Sequence, residues 1–150
     1  KTLHRNFMGY TSSKTQLMVG LGMSSISDSW YGFAQNVKTV KEYQKIVNSG
    51  EIPVFRGHTL SKEDEVIRKH ILNIMCNFYT SWDEKDTKIN NIDAHLSLLQ
   101  EMQNDGLVII EENSLTVPDD ARAYVRNICM AFDKKLQKKQ PETKLFSMTI

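Results

Sequence analysis

Cysteine is scarce in this chain, in which Cys76 and Cys129 are the only two among 150 residues. An iron–sulfur cluster or a structural zinc ion needs about four closely spaced ligands, and the four histidines show no metal-ligand spacing either. Both cysteines lie within apolar helical patterns, where a free thiol packs as a small hydrophobic group. We therefore expect no metal-binding residues in this chain, and a disulfide between the cysteines is possible but not needed.

The chain also has little net charge and no long apolar runs. Its 19 basic and 18 acidic side chains leave a formal charge of +1, which favours neither nucleic acid nor an acidic surface as a partner. No apolar run approaches the ~20 residues of a membrane-spanning helix, and the first residues lack the pattern of a secretory signal. The composition is that of a globular protein, and we expect a monomer without a membrane or nucleic-acid partner.

The first part of the chain mixes a strand pattern with a helix pattern. Residues 16–22, "QLMVGLG", predict a buried strand that enters a loop containing two glycines. Residues 39–50 carry apolar side chains at helical spacing and end in glycine, which indicates a helix and its usual termination. Residues 51–59 are interpreted as a connector. We place the first domain at residues 1–58.

The second domain, predicted over residues 59–150, is mostly helical. Ser61 begins a helix with acidic residues in its first turn, and "NNIDAHLSLLQEMQNDG" predicts a second helix. Two short β-rich runs in "LVIIEENSLTV" predict a hairpin. Pro118 suits the first turn of a last helix, whose apolar stripe ends after Leu136. Helices followed by a hairpin and a helix are typical of a winged-helix module, so the fold class is α+β, mostly helical.

Winged-helix modules frequently place a helix in the major groove of DNA. Here the candidate recognition helix carries Asp93, Glu101 and Asp105 and contains no lysine or arginine. A surface that binds phosphates needs the opposite charge. The four lysines between residues 134 and 139 suit a helix C-terminus and a solvated face. DNA binding is therefore disfavoured.

A short segment near the start, "RNFMGYT" at residues 5–11, combines hydrogen-bond donors, an aromatic ring and a glycine. A second loop with glycines and small hydroxyl side chains precedes Ile26. Two neighbouring strand ends of this kind could face a planar ligand together. The alternative is structural: Phe7 and Tyr10 belong to the core, and the glycines only turn the chain. The residues alone leave both interpretations open.

Several motifs resemble one enzyme family when they are taken together and in order. These are "RNFMGYT", "GLGMSSIS", "YGFAQN", "RGHTLSKED" and "RNICMAFD". They resemble the C-terminal part of oxygen-independent coproporphyrinogen III oxidase, also called coproporphyrinogen dehydrogenase. The resemblance extends over almost the whole chain.

The resemblance implies a radical S-adenosylmethionine enzyme of the cytoplasm that acts in porphyrin and heme biosynthesis. Such an enzyme oxidatively decarboxylates coproporphyrinogen III to protoporphyrinogen IX, using a [4Fe–4S] cluster and S-adenosylmethionine. In that family a partial α/β barrel precedes a mostly helical C-terminal domain. Residues 1–58 would then supply the last barrel strands and a connector. The chain would be a fragment that shapes and covers the substrate pocket, holds no cluster or other metal, and supplies no catalytic residue.

The resemblance also implies four residues that contact ligands. Ile26 matches the family position that touches a second S-adenosylmethionine beside the substrate. Phe7 and Met8 match an adjacent loop, and Gly9 keeps its backbone close to the ligand. The family commonly has glutamine at the position of Met8, and a thioether cannot donate the hydrogen bond of an amide.

A second hypothesis is a non-enzymatic, heme-handling or interaction module of winged-helix type. The segment "RNFMGYT" favours the enzyme, because a module that only packs has no need of such a loop. A CxxxCxxC motif upstream of Lys1 in the gene would support the oxidase.

We predict that the purified chain, incubated with iron and sulfide under reducing conditions, remains colourless and does not cleave S-adenosylmethionine. The reason is that two cysteines cannot hold a four-iron cluster. Visible absorption and chromatography of the nucleoside product check this. A brown protein that turns over would contradict it.

Overall fold

The computed structural model describes residues 2–89 and 91–133. The chain divides into two units, Lys1–Glu65 and Val66–Ile150, and each is described by itself. The domain boundary predicted between residues 58 and 59 stays a prediction. None of the helices within the described ranges is long and apolar enough to cross a membrane.

Unit 1 begins with a β-hairpin of two short antiparallel strands, β1 (His4–Asn6) and β2 (Gly9–Thr11). Asn6 pairs with Gly9, so Phe7 and Met8 form the turn between the strands. Gly9 has φ +119°, a backbone conformation that side chains with a Cβ rarely adopt. The glycine of "RNFMGYT" is therefore required by the turn itself.

A four-stranded sheet follows, in which every neighbouring pair is antiparallel. Its strand order is β3-β4-β5-β6. The strands are β3 (Leu17–Met18), β4 (Ile26–Ser29), β5 (Gly32–Asn36) and β6 (Val54–Thr59). An α/β barrel pairs parallel strands, so the described residues do not show the barrel strands that the resemblance implies.

The interpretation of residues 51–59 as a connector is wrong, because β6 (Val54–Thr59) forms the edge of the sheet. Every residue of β6 is exposed, and no face of the strand is buried. Its sequence therefore shows no alternation of apolar and polar residues from which a strand could be predicted. The helix predicted over residues 39–50 is confirmed as α1 (Val40–Asn48). Thr39 caps it by accepting a hydrogen bond from the Glu42 amide at 3.3 Å.

Helix α2 (Lys62–Asn77) runs across the division between the units. Its predicted cap is confirmed as a reciprocal pair: the Ser61 hydroxyl accepts from the Asp64 amide at 3.1 Å, and the Asp64 carboxylate accepts from the Ser61 amide at 3.0 Å. The helix ends at Asn77, and the next residue, Phe78, terminates it by adopting the left-handed region with φ +57°.

Unit 2 places helices around a small antiparallel sheet of order β7-β9-β8. The predicted hairpin is confirmed by β8 and β9, while β7 was not predicted. The elements after α2 are β7 (Tyr79–Ser81), α3 (Glu84–Ile89), α4 (Ile92–Ser97), α5 (Gln100–Asn104), β8 (Ile109–Glu111), β9 (Ser114–Thr116), a 3₁₀ helix (Asp119–Tyr124) and α6 (Val125–Met130). The predicted mixture of helices and strands is thus confirmed.

Two predicted helices of unit 2 are shorter than expected. The helix expected over residues 90–106 is broken after Ser97 into α4 and α5, and Leu99 at the break is buried in the core. Pro118 lies just before the 3₁₀ helix, which continues as α6. The predicted end of the apolar stripe at Leu136 lies outside the described residues.

The apolar core lies in unit 2, where side chains from α2, α4, β9 and α6 pack together. Its fully buried members include Ile74, Ile92, Leu115, Ile128 and Phe132. Among the described residues of unit 1, the buried apolar side chain is Val37 alone. The two units are therefore stabilised in different ways.

One polar side chain, His70 on α2, lies inside the core of unit 2 and is fully buried. Its Nδ1 lies 2.8 Å from the Thr80 hydroxyl, and its Nε2 has no hydrogen-bond partner. The Asp86 carboxylate, which binds Lys69 at 2.6 Å, is 3.9 Å from Nε2. Burial lowers the pKa of His70 from 6.5 to about 4, although the negative charge of Asp86 opposes this shift.

We predict that the free energy of unfolding of unit 2 falls as the pH is lowered from about 6.5 to about 4. In this window the unfolded histidine takes up a proton that the folded one excludes, so acid favours unfolding. His70 should contribute roughly 2–3 kcal/mol across the window. Urea unfolding followed by Trp82 fluorescence, in a Trp30→Phe background, measures it.

The control variant is His70→Gln, which can keep a hydrogen bond to Thr80 but does not titrate. It should lower stability at pH 7 and flatten the pH dependence. An unchanged slope in this variant would show that other groups cause the loss of stability in acid.

Candidate functional site

The turn of the first hairpin presents two apolar side chains to solvent. Phe7 is 52% exposed and Met8 is 85% exposed. The Met8 amide donates a hydrogen bond to the Asn6 side chain at 2.9 Å, so the turn uses this donor internally. The turn therefore offers a ligand apolar contacts through its side chains.

An aromatic contact attaches this hairpin to the four-stranded sheet. The ring of Phe7 lies edge-on to Phe33 of β5, with centroids 5.0 Å apart and an interplanar angle of 87°. This is a favoured arrangement for two aromatic rings. Phe7 therefore lies over the face of the sheet to which Phe33 points.

Ile26 lies on that same face. Phe33 is paired with Asp28 of β4 and His58 of β6, and residues directly opposite each other in antiparallel strands point to the same side. Ile26 is two residues before Asp28, so it also points to this side. The structure thus brings Phe7 and Ile26, predicted from separate motifs, to one face, which we call the hairpin face.

Polar groups border the hairpin face. Gln35 is paired with Ile26 across the sheet, and its side-chain oxygen accepts a hydrogen bond from the Arg56 guanidinium at 2.9 Å. Asp28 is buried beside Phe33, whereas His58 lies on the exposed edge strand and 3.4 Å from the carboxylate of Asp64. An apolar centre with hydrogen-bonding groups at its edge is a common composition for a ligand site.

A glycine-containing loop, residues 20–25, leads directly into Ile26. Gly20 has no room for a Cβ, which would lie 2.8 Å from the Ile26 carbonyl carbon and oxygen. Gly22 has φ +96°, which favours glycine. Both glycines are therefore explained by the shape of the loop.

The opposite face of the sheet contains an open groove of about 490 Å³. It is lined largely by small residues that alternate with those of the hairpin face, including Ser27, Ser29, Gly32, Ala34 and Thr59. None of the predicted site residues lines it. Phe33 and His58, which belong to the hairpin face, also line the groove, so the two features share residues.

Metal binding has no structural support within residues 2–89 and 91–133, where no group of three or more His, Cys, Asp or Glu side chains could hold an ion. Cys129 is buried, and its thiol lies 3.9 Å from the Ile71 carbonyl. The predicted site residues also include no titratable group. The hairpin face is suited to binding and shaping a pocket.

Two residues of the site were missed by the sequence analysis. Phe33 supports Phe7, and Asn36 holds the loop before Ile26 through its side-chain amide. Both belong to "YGFAQN", one of the motifs on which the resemblance was based. The motif by itself assigns no function to these residues, because their roles follow from the position of β5 between β4 and β6.

Known proteins resemble this chain over most of its length. It is 36% identical over 142 residues to the oxygen-independent coproporphyrinogen III oxidase of Escherichia coli K12, covering 91% of this chain and 31% of the relative. It is 34% identical to that of Synechocystis, covering 99% of this chain and 34% of the relative. A solved structure of the Escherichia coli coproporphyrinogen III oxidase, described as a radical SAM enzyme, superposes with a TM-score of 0.82 at 34% identity. That superposition covers 90% of this chain and 32% of the other.

This chain is similar in sequence and structure to part of the oxygen-independent coproporphyrinogen III oxidases. The resemblance inferred from its motifs is confirmed, although no protein-family profile matches the chain. The chain spans about a third of the length of the curated coproporphyrinogen III oxidases that it matches. The match includes both units, because it covers at least nine tenths of the chain.

We predict that Phe7 and Phe33 are energetically coupled. A double-mutant cycle with Phe7→Leu and Phe33→Leu should give a coupling of about 0.5–1 kcal/mol in the stability of unit 1. Urea unfolding followed by Trp30 fluorescence, in a Trp82→Phe background, measures it.

Phe55→Leu provides the matched control, because the ring of Phe55 contacts Lys38, whose Nζ is 5.6 Å from the centroid. Combined with Phe7→Leu, it should be additive within about 0.3 kcal/mol. Additivity in both cycles would mean that the edge-on contact does not fix the hairpin.

Proposed function

We propose that this chain is the pocket-shaping part of an oxygen-independent coproporphyrinogen III oxidase. The enzyme converts coproporphyrinogen III to protoporphyrinogen IX by oxidative decarboxylation in heme and porphyrin biosynthesis. The observation that carries the proposal is the convergence of two predicted contact segments, the hairpin turn and the start of β4, on one face of unit 1. The named relatives, matched across both units, support it.

The hairpin face is the wall that contacts S-adenosylmethionine and substrate. Phe7 presents a flat, half-exposed ring, and Ile26 presents a branched aliphatic side chain on the same face. Such surfaces fit a planar purine or pyrrole ring and exclude water from it. Gly9 allows the tight turn that brings Phe7 and Met8 forward. Met8 adds an apolar contact where an amide would add a hydrogen bond.

The [4Fe–4S] cluster of the enzyme is not held by these residues. The chain has two cysteines, one of them buried in the core of unit 2, and a cluster needs about four thiolate ligands. The hairpin face would contact the adenine ring of the second S-adenosylmethionine beside the substrate, whereas an S-adenosylmethionine reduced at the cluster would supply the radical that abstracts hydrogen from the substrate. This chain orients the substrate and limits its access to water.

The exposed apolar surface of unit 1 supports a role beside a larger domain. The exposed side chains along the β3 region include Leu17, Val19, Leu21 and Met23. Exposed apolar groups so close together mark a surface that packs against protein. We propose that the remaining two thirds of an enzyme of this family, including its partial α/β barrel, covers this surface.

Unit 2 is proposed to be a winged-helix-like domain. The order α2, β7, α3, α4 with α5, β8 and β9, with β9 between β7 and β8, is the order of elements in that fold. Its candidate recognition segment, α4 and α5, carries Asp93 and Glu101, which disfavours DNA. We propose that the unit packs against the enzyme and covers the substrate.

We predict that this chain can replace its counterpart in a complete relative. In a chimera, the matching segment of the Escherichia coli enzyme is exchanged for these 150 residues. With its cluster reconstituted anaerobically, it should cleave S-adenosylmethionine and form protoporphyrinogen IX. Ile26→Ala should lower kcat/KM by about tenfold or more, because an apolar wall contact contributes ~1–3 kcal/mol.

Ile52→Ala is the control, because Ile52 is 82% exposed and lies outside the hairpin face. It should change kcat/KM less than about twofold. A folded chimera that cleaves S-adenosylmethionine but leaves coproporphyrinogen III unchanged would refute the proposal.

A further inference from the structure

The loop of residues 20–25 is held almost entirely by hydrogen bonds to the rest of unit 1. The side-chain amide of Asn36 donates to the carbonyl of Gly20 at 3.0 Å and to the carbonyl of Gly22 at 2.9 Å. The backbone amide of Asn36 donates to the Ser25 carbonyl at 3.0 Å. One buried residue therefore binds three points of the loop.

Neighbouring groups bind the amide groups of the same loop. The Gly22 amide donates to the Tyr43 hydroxyl of α1 at 3.0 Å, and the Gly20 amide donates to the Ser27 hydroxyl at 3.0 Å. The Ser24 amide donates to the Val37 carbonyl at 2.8 Å. Three amide groups of the loop are thus bound within unit 1.

The chemistry of this contact selects asparagine. Asn36 is 5% exposed, and its two side-chain N–H groups serve two carbonyls that need donors. An aspartate of the same shape has no donor and would bring a negative charge against two carbonyl oxygens. The contact therefore depends on the amide and not on the shape of the side chain.

We propose that Asn36 is a positioning residue, which fixes the loop of residues 20–25 and thereby sets the place of Ile26 on the hairpin face. Ile26 directly follows the loop, and its backbone packs against Gly20. A shift of the loop therefore moves the first residue of β4. The link to ligand binding rests on the proposed function, whereas the link from Asn36 to Ile26 does not.

The first test uses this chain alone and measures hydrogen exchange. Asn36→Asp should raise the hydrogen-exchange rate of the loop amides at residues 20–25 by about tenfold or more. The reason is that the loop loses both side-chain N–H donors of Asn36 and therefore opens locally more often. The amides that join β5 to β6 should change far less. The control is Asn48→Asp, the same chemical change at an exposed position of α1, which should leave the loop unchanged.

A second variant keeps the proposal testable if Asn36→Asp unfolds unit 1. Tyr43→Phe removes only the hydroxyl that accepts from the Gly22 amide, so it should selectively increase exchange at the loop by a smaller factor. Unchanged loop exchange in Tyr43→Phe, or in a folded Asn36→Asp, would overturn the proposal.

The last test places Asn36→Asp in the chimera described above. A mispositioned wall should raise the KM for S-adenosylmethionine by about tenfold while kcat changes less than about threefold. A loosened loop with an unchanged KM would overturn the link from Asn36 to ligand binding. Failure of the unsubstituted chimera to form protoporphyrinogen IX would reject the proposed function alone, because hydrogen exchange tests the loop separately.

Discussion

Unit 1 depends on hydrogen bonding to a greater extent than on an apolar core. Val37 is its buried apolar side chain among the described residues, whereas Asn36 beside it binds three points of the loop of residues 20–25. Antiparallel pairing supplies most of the remaining order. A small sheet without a large core is marginally stable, so the geometry of the hairpin face depends on a few specific polar contacts.

Unit 2 is stabilised differently. Its core is continuous and apolar, and His70, one of the two buried histidines of this unit, is kept neutral because burial disfavours its charged form. The exposed large apolar side chains of the described residues, by contrast, are concentrated in unit 1.

Local sequence patterns predicted the helices and strands whose formation depends on residues close to one another in the chain. Helices α1 and α2 and the hairpin of β8 and β9 follow from helical spacing, capping residues and turn composition. The signals failed where tertiary contacts decide the structure. Strand β6 is fully exposed and exists because it pairs with β5, and β7 exists because it pairs with β9. Helical periodicity also continued through Leu99, where the chain breaks to bury that side chain.

The site shows the same distinction. The sequence by itself determined the similarity to one enzyme family and that two cysteines are too few for a cluster, and it predicted two contact segments, because these depend on residue types and their order. Only the tertiary structure decided that Phe7 and Ile26 share a face, that Phe33 supports the hairpin and that Asn36 holds the loop. The reason is that strand pairing and register determine which distant residues meet, and no local pattern in this chain specifies that β5 lies between β4 and β6.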